Sequence, residues 1–185
     1  FNLAFAGNFS PAQSLDTVLH ALKIAGSQLS PAQKPLHLLL VGDGMSRPAL
    51  EKLVEELQLK DSVTFYGSVP PEKIPAINGF ADALLVSLSD SPDLGLTVPA
   101  KIASCMAAGK PLLASMNGEG AHAVAESGGG LVSPACDANA LAENMLTLCR
   151  MDLSLRAEMG QKAQRYYELH YRRAELLRQI ETFIL

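Results

Sequence analysis

The sequence predicts an α/β fold: a doubly wound parallel sheet of about six strands with flanking helices, followed by C-terminal helices. Six short runs are almost continuously apolar, which is typical of parallel strands buried on both faces. Segments with the periodic spacing of amphipathic helices separate these runs, and no strand pattern follows the sixth. The length of 185 residues fits one domain over residues 1–185.

The predicted strands are short, and most of them end in a glycine or a serine. They cover residues 3–7, 36–42, 63–67, 83–88, 112–115 and 130–133. A helix between consecutive strands is typical of the right-handed crossover that joins parallel strands, so we expect all strands to run in the same direction. This order predicts an open, Rossmann-like sheet.

Apolar residues at helical spacing follow the first two strands. The first helix begins behind Ser14 and the second behind Ser46, and we expect both hydroxyls to cap their helices. Pro48 lies in the first turn of the second helix, where its missing N–H costs little. A shorter third helix is predicted over residues 71–80.

Helix signals continue to the end of the chain. The remaining predicted helices cover residues 99–108, a segment capped by Asp137, and the closing segments 155–171 and 174–185. Gly109 is predicted to end the 99–108 helix in the left-handed conformation, with Pro111 preventing its continuation. Residues 118–120 are interpreted as a loop that places His122 on the cleft side of the sheet.

Composition excludes several classes of protein. Hydrophobic residues make up 48% and charged residues 18%, so the chain can build a core and is not disordered. The net charge of −4 argues against a nucleic-acid partner. Three cysteines without metal-ligand spacing favour a reducing compartment, and no apolar run approaches the roughly 20 residues of a membrane span. Because the chain begins at Phe1, we interpret it as a piece of a longer protein.

Candidate chemistry is expected at the carboxyl ends of the strands, beside helix N-termini that attract anions. Gly7, Gly42 and Gly67 end three strands and allow a backbone to approach a ligand closely. The fourth strand leads through a polar loop into a helix of mostly small residues. The absence of a Walker loop, of GxGxxG after the first strand and of GxSxG argues against P-loop, nicotinamide and serine-hydrolase chemistry.

Several motifs carry a resemblance to a known family. They are Val-Gly-Asp-Gly at residues 41–44, Val-Thr-Phe-Tyr-Gly at 63–67, Ala-Asp at 81–82 and Met-Ala-Ala-Gly-Lys-Pro at 106–111. Together they resemble the C-terminal, donor-binding domain of family 4 (group 1) retaining glycosyltransferases of the GT-B type, which have two Rossmann-like domains. Thr-Val-Pro-Ala-Lys at 97–101 resembles a sub-group of bacterial polysaccharide-biosynthesis enzymes.

The resemblance implies a function for the longer protein. Such an enzyme transfers a sugar from a nucleoside-diphosphate sugar to a saccharide or lipid-linked acceptor, held mainly by an N-terminal domain that this chain lacks. We expect the chain alone to bind nucleotide without turnover, with no cofactor and no metal. The full-length enzyme is expected in the cytoplasm, with association to the inner face of the membrane.

The resemblance also implies the site residues. The family's two glutamates, separated by seven residues, fall on Leu96 and Ser104, and its two basic residues after the first strand fall on Asn8 and Gln13. Lys101 replaces the missing cations. The predicted donor-binding residues are Gly7, Asn8, Gln13, Val69, Leu96, Thr97, Val98, Lys101 and Ser104.

Backbone N–H groups of residues 96–98 are expected to join Lys101 at the diphosphate, and Val69 to lie beside the nucleobase. Asp93 or Asp90 could serve the donor sugar in place of the lost glutamates. No catalytic residue is identified, and Asp93 and Lys101 are the candidates.

Two alternatives remain open from the sequence. One is half of a nucleotide-sugar epimerase. The other is a non-catalytic flavodoxin-like or receiver-like module, although Gly7-Asn8 and Gly67-Ser68 stand where a receiver needs acidic residues. Near the C-terminus, Tyr166, Tyr167 and Tyr171 lie among arginines, and they either pack on the fold or dock onto the missing domain or a membrane.

Overall fold

A computed structural model describes residues 1–184, with side chains through residue 178. Its sheet has six parallel strands in the order β3-β2-β1-β4-β5-β6. The strands are β1 (Asn2–Ala6), β2 (His37–Val41), β3 (Val63–Gly67), β4 (Ala83–Ser87), β5 (Leu112–Ser115) and β6 (Gly130–Ser133). This is the doubly wound Rossmann order, so the predicted fold class is confirmed. A flavodoxin-like or receiver-like module would have the order 2-1-3-4-5, and that alternative is wrong.

Nine helices are described. They are α1 (Leu15–Ser27), α2 (Arg47–Glu56), α3 (Ile74–Phe80), α4 (Pro92–Gly95), α5 (Ala100–Ala107), α6 (Glu119–Ser127), α7 (Ala138–Arg150), α8 (Leu153–His170) and α9 (Arg173–Ile184). The predicted third helix is a 3-10 turn, Pro71–Lys73, that runs directly into α3. The predicted closing helices are confirmed to within two residues, except that Leu185 lies outside the described residues.

The interpretation of residues 118–120 as a loop is wrong beyond Gly118, because α6 begins at Glu119. Small residues hide this helix in the sequence, since its buried face consists of Gly120, Ala121, Ala123 and Val124. His122 lies on this helix and its side chain is 77% exposed.

The sheet separates two apolar layers, and successive residues of each strand alternate between them. Leu3 and Phe5 of β1 pack into the layer formed with α1, α2 and α7, whereas Ala4 faces α5, α6 and α8. Leu113 and Leu112 of β5 divide in the same way. The central strands β4 and β5 are buried along their whole length, whereas Thr64 and Tyr66 of the edge strand β3 are exposed. The carboxyl ends of the strands are held at one rigid edge.

Of the three predicted N-terminal caps of helices, one is confirmed. Asp137 caps α7 by accepting from the N–H of Ala140 at 2.9 Å. Ser14 and Ser46 occupy the N-cap positions, but neither hydroxyl accepts a backbone N–H of its helix, so their predicted capping bonds are wrong. Ser14 is in the left-handed conformation (φ 42°), which turns its hydroxyl onto Thr17 Oγ1 at 2.9 Å. Ser46 already has helical backbone angles, so it lacks the extended geometry of a cap.

Helix α8 closes the molecule by packing against α5 and β6 through small residues. A Cβ at Gly160 would collide with the carbonyl oxygen of Gly109, and one at Gly129 would lie 2.5 Å from Ala163 Cα. Gly109 itself has φ 66°, as predicted for the end of α5. Its close contact with α8 fixes the C-terminal end of α5, whose other end faces the sheet edge.

The tyrosines of α8 pack on the fold. Tyr166 donates its hydroxyl to Glu126 Oε2 at 2.8 Å, and burial and this carboxylate raise its pKa to about 12. The His170 ring stacks on Tyr166 with centroids 4.1 Å apart. These contacts favour the packing interpretation of the tyrosine cluster. No helix in the described part of the chain is long and apolar enough to cross a membrane.

Candidate functional site

A cleft of about 530 Å³ opens at the carboxyl edge of the sheet, beside the N-terminal end of α5. The residues that line it are Ala6, Gly7, Asn8, Val41, Gly42, Asp43, Ser68, Val69, Pro71, Ile74, Lys101 and Ser104. Strands β2 and β3 lie on one side of β1, and β4, β5 and β6 lie on the other, so the switch point of the sheet falls between β1 and β4. Doubly wound sheets bind ligands at such a point. The cleft therefore lies where the fold predicts a ligand.

Two glycines bring the loops after β1 and β2 into close contact. Gly42 has φ 132°, and a Cβ there would collide with the carbonyl oxygen of Gly7. The N–H of Phe9 donates to the carbonyl of Asp43 at 2.8 Å, which joins the same two loops. Any side chain at position 42 would push the loops apart and change the shape of the cleft.

Lys101 is the cation of the cleft. Its Nζ donates to Gln13 Oε1 at 2.9 Å and lies 3.6 Å from the centre of the Phe5 ring. A Cβ on Gly7 would lie only 2.6 Å from Nζ, so the glycine makes room for the ammonium. Burial lowers the pKa of Lys101 to about 8, with a small opposing effect of Cys105. Within the described residues no carboxylate forms an ion pair with it.

The structure brings most of the predicted donor residues together. Gly7, Asn8, Val69, Lys101 and Ser104 all line the cleft. Gln13 reaches the same place through its bond to Lys101. Their contact with a donor remains a prediction, but residues from the loops after β1 and β3 and from α5 converge on one cavity.

Residues 96–98 lie elsewhere. We expected the N–H groups of Leu96, Thr97 and Val98 at the start of the helix, but α5 begins at Ala100 with Pro99 as its N-cap. The three residues precede the helix on an exposed segment, and the side chain of Leu96 is 78% exposed. The predicted start of this helix at residue 99 is confirmed to within one residue, and the contact of these three N–H groups with a diphosphate stays a prediction.

The candidate carboxylates of the polar loop also lie outside the cleft. Asp93 is exposed on the short helix α4. Asp90 accepts a hydrogen bond from Asn117 Nδ2 at 3.0 Å, so its carboxylate is bonded to a side chain of the loop after β5. The backbone of Gly118 approaches Gly95 closely enough that a Cβ at Gly118 would collide with the Gly95 carbonyl oxygen. Two contacts thus tie the polar loop to the loop after β5.

Asp43 was not predicted from the sequence, although it lines the cleft. Its Oδ1 accepts from the N–H of Gly44 at 2.8 Å and its Oδ2 pairs with Arg47 Nη1 at 3.2 Å. The signal was present, because Asp43 stands between two glycines directly after a strand. Among the described residues no group of three or more His, Cys, Asp or Glu side chains could hold a metal ion.

Comparison with known proteins places these observations in context. A family model described as "Glycosyl transferases group 1" matches residues 2–166. WbjE of Pseudomonas aeruginosa, named a probable glycosyltransferase, is 30% identical over 155 residues, which are 81% of this chain and 36% of that protein. WcaL of Escherichia coli K12, provisionally named a colanic acid biosynthesis glycosyltransferase, is 23% identical over 167 residues, or 90% of this chain and 41% of that protein. The chain spans about two-fifths of the length of these relatives.

Solved structures show the same architecture. Anabaena HepE in complex with UDP matches with a TM-score of 0.83 at 21% identity, over 100% of this chain and 48% of that chain. Identity at this level supports the likeness of fold.

Proposed function

This chain belongs to the group 1 glycosyl transferases, and from that premise we propose that it is the donor-binding domain of a longer enzyme. The enzyme would transfer a sugar from a nucleoside-diphosphate sugar to an acceptor held by an N-terminal domain. The observation that carries the proposal is the cleft at the switch point, where Gly7, Lys101 and Ser104 meet. Family membership favours a transferase over the epimerase alternative.

The chemistry asked of this domain is stabilisation of a leaving group. As the bond between the sugar's anomeric carbon and the diphosphate oxygen breaks, its electron pair stays on the diphosphate. The acceptor hydroxyl oxygen forms the new bond to that carbon and passes its proton to the leaving diphosphate. A partly buried ammonium beside the diphosphate stabilises the growing negative charge, because attraction strengthens where water is partly excluded. Lys101 is the side chain of the cleft that supplies this charge.

We assign the finer properties of the enzyme on the same basis. The transfer retains the anomeric configuration, as in the group that the motifs resemble. It needs no metal, because Lys101 supplies positive charge at the diphosphate. Its acceptor is a saccharide or a lipid-linked saccharide of cell-surface polysaccharide synthesis. The name of WcaL supports that assignment. The full-length enzyme works in the cytoplasm, at the inner face of the membrane, and this chain alone binds nucleotide without turnover.

The test is a titration of the 15N-labelled chain with UDP, GDP and ADP, followed by chemical-shift perturbation. Saturable shifts at Gly7, Val69 and Lys101 with one base preferred are expected. Lys101→Ala should weaken the preferred nucleotide about fivefold or more, which is the loss of one charged contact. Lys23→Ala, an exposed lysine of α1, is the matched control and should bind as wild type. Absence of shifts with all three nucleotides at millimolar concentration would contradict the proposal.

A further inference from the structure

Lys101 is a cation that the protein holds with neutral groups. The described residues around its Nζ are the Gln13 amide oxygen at 2.9 Å, the Phe5 ring at 3.6 Å and the backbone of Gly7. A carboxylate in place of Gln13 would hold the ammonium more strongly, but it would also cancel its charge. An amide oxygen accepts one hydrogen bond and leaves the charge intact.

The geometry fixes the direction of the ammonium. A lysine side chain has four rotatable bonds, and ordering it costs up to about 2 kcal/mol of rotamer entropy. Gln13 occupies one of its three N–H donors, and the Phe5 ring lies against the head group. Lys101 also lines the cleft, so the N–H donors of its ammonium that Gln13 does not use can bond to a ligand in that cavity. Gln13 lies on a 3-10 turn, Pro11–Gln13, whose proline restricts the backbone.

We propose that Gln13 is a positioning residue, whose amide oxygen holds the Lys101 ammonium beside Gly7 so that its uncancelled charge faces the donor diphosphate. This inference rests on the proposed function and deepens it. Gln13 then acts through Lys101 and does not itself contact the nucleotide. It differs in this from the sequence-based expectation, which placed Gln13 directly at the donor.

A dependence on pH follows from this arrangement. Burial lowers the pKa of Lys101 to about 8, and a bound diphosphate favours the charged form. Nucleotide affinity should therefore fall as pH rises from 7 to 9.5, because the neutral amine must first take up a proton. Among the described residues, the Cys105 thiol on the same helix interacts with the ammonium, and burial raises the pKa of that thiol to about 11. Asp43, paired with Arg47 at the end of β2, lines the same cleft but forms no ion pair with Lys101.

The first test is a double-mutant cycle on UDP affinity, measured by isothermal titration calorimetry at pH 7. Gln13→Ala should weaken UDP about fivefold when Lys101 is present, and by less than about 1.5-fold in the Lys101→Ala background. Equal weakening in both backgrounds would mean that Gln13 contacts UDP itself, and it would overturn the inference. Thermal unfolding of each variant shows whether the fold is kept.

The second test is a pH profile, which also decides the question if Lys101→Ala binds too weakly to measure. Gln13→Glu places a carboxylate against the ammonium and raises the pKa of Lys101, so the alkaline loss of UDP affinity should move to higher pH by about one unit. The UDP affinity of Gln13→Glu at pH 7 should fall, because the new carboxylate cancels the charge of the Lys101 ammonium. A profile that does not move overturns the inference while leaving the proposed function intact. Wild-type protein that binds none of UDP, GDP and ADP overturns both.

Discussion

The side chain of Asn117 links Asp90 to the loop after β6. Its Nδ2 donates to Asp90 Oδ1 at 3.0 Å, while its Oδ1 accepts the N–H of Ala135 at 3.1 Å. One residue thus joins the loops that follow β4, β5 and β6. The polar loop that carries Asp93 begins at this clamp.

Asn117→Ala is predicted to release that loop. Two hydrogen bonds are lost at an exposed site, so the free energy of unfolding should fall by about 1 kcal/mol. Amide exchange should accelerate at Leu94 and Gly95, whose N–H groups bond to Ser91 within the loop. Asn139→Ala, an exposed asparagine of α7, is the control and should leave that exchange unchanged. Unaltered exchange in Asn117→Ala would mean that the Gly118–Gly95 contact holds the loop by itself.

Gln58 ends α2 in the left-handed conformation, with φ 57°. Only glycine adopts this conformation without cost, so Gln58→Gly should stabilise the protein by about 0.5–1 kcal/mol. Gln28 ends α1 with φ −98°, a conformation that any residue adopts. A glycine there only adds the entropy cost of ordering its more flexible backbone. Gln28→Gly should therefore destabilise, and urea unfolding of the pair measures the difference. Equal effects at the two positions would rule out backbone conformation as the cause.

Glycines inside two helices offer a similar comparison. A Cβ at Gly160 of α8 would collide with the Gly109 carbonyl oxygen, whereas one at Gly26 of α1 meets nothing within 4 Å. Gly160→Ala should cost about 2–4 kcal/mol because α8 must move away from α5. Gly26→Ala should stabilise by about 0.5–1 kcal/mol. A small loss for Gly160→Ala would show that α8 is not fixed against Gly109.

The sequence predicted the sheet well because a strand buried on both faces must be apolar along its whole length. It predicted Asp137 as a cap for a similarly local reason. It did not predict helix α6, whose buried face has glycine and alanine beside a single valine and so gives little apolar contrast. The partners of Asp90 and Gln13 were also missed, because residues 27 and 88 positions away supply them. Local patterns determine elements, but side-chain pairs across the sheet edge depend on the tertiary arrangement.

Lys101 is predicted to reduce stability at neutral pH. Its pKa falls from 10.5 in the unfolded chain to about 8 in the fold, so the folded state disfavours the charged form. Between pH 8 and 10.5 the unfolded state binds more protons, and stability therefore rises with pH in this range from this group. Lys101→Met should raise the free energy of unfolding at pH 7 by about 1–3 kcal/mol and gain less at pH 9.5.

Urea unfolding at the two pH values measures this effect. The difference between wild type and variant isolates Lys101 from the other groups that titrate in the same range. Lys23→Met changes an exposed lysine of α1 and should leave stability within about 0.5 kcal/mol at both pH values. A Lys101→Met gain that does not change with pH would come from packing and would contradict the electrostatic explanation.

Ser104 lines the cleft one turn beyond Lys101. The motif resemblance puts one of the family's two glutamates at this position, and the same resemblance implies that this glutamate binds the donor ribose. Ser104→Glu is predicted to tighten UDP binding about three- to tenfold, because a carboxylate can accept hydrogen bonds from both ribose hydroxyls. The control ligand is 2′-deoxy-UDP, which lacks one of these hydroxyls and should gain little. The new carboxylate could instead pair with Lys101, three residues away on the same helix face. In that event both ligands would bind more weakly, and the ribose role of this position in the cleft would be refuted.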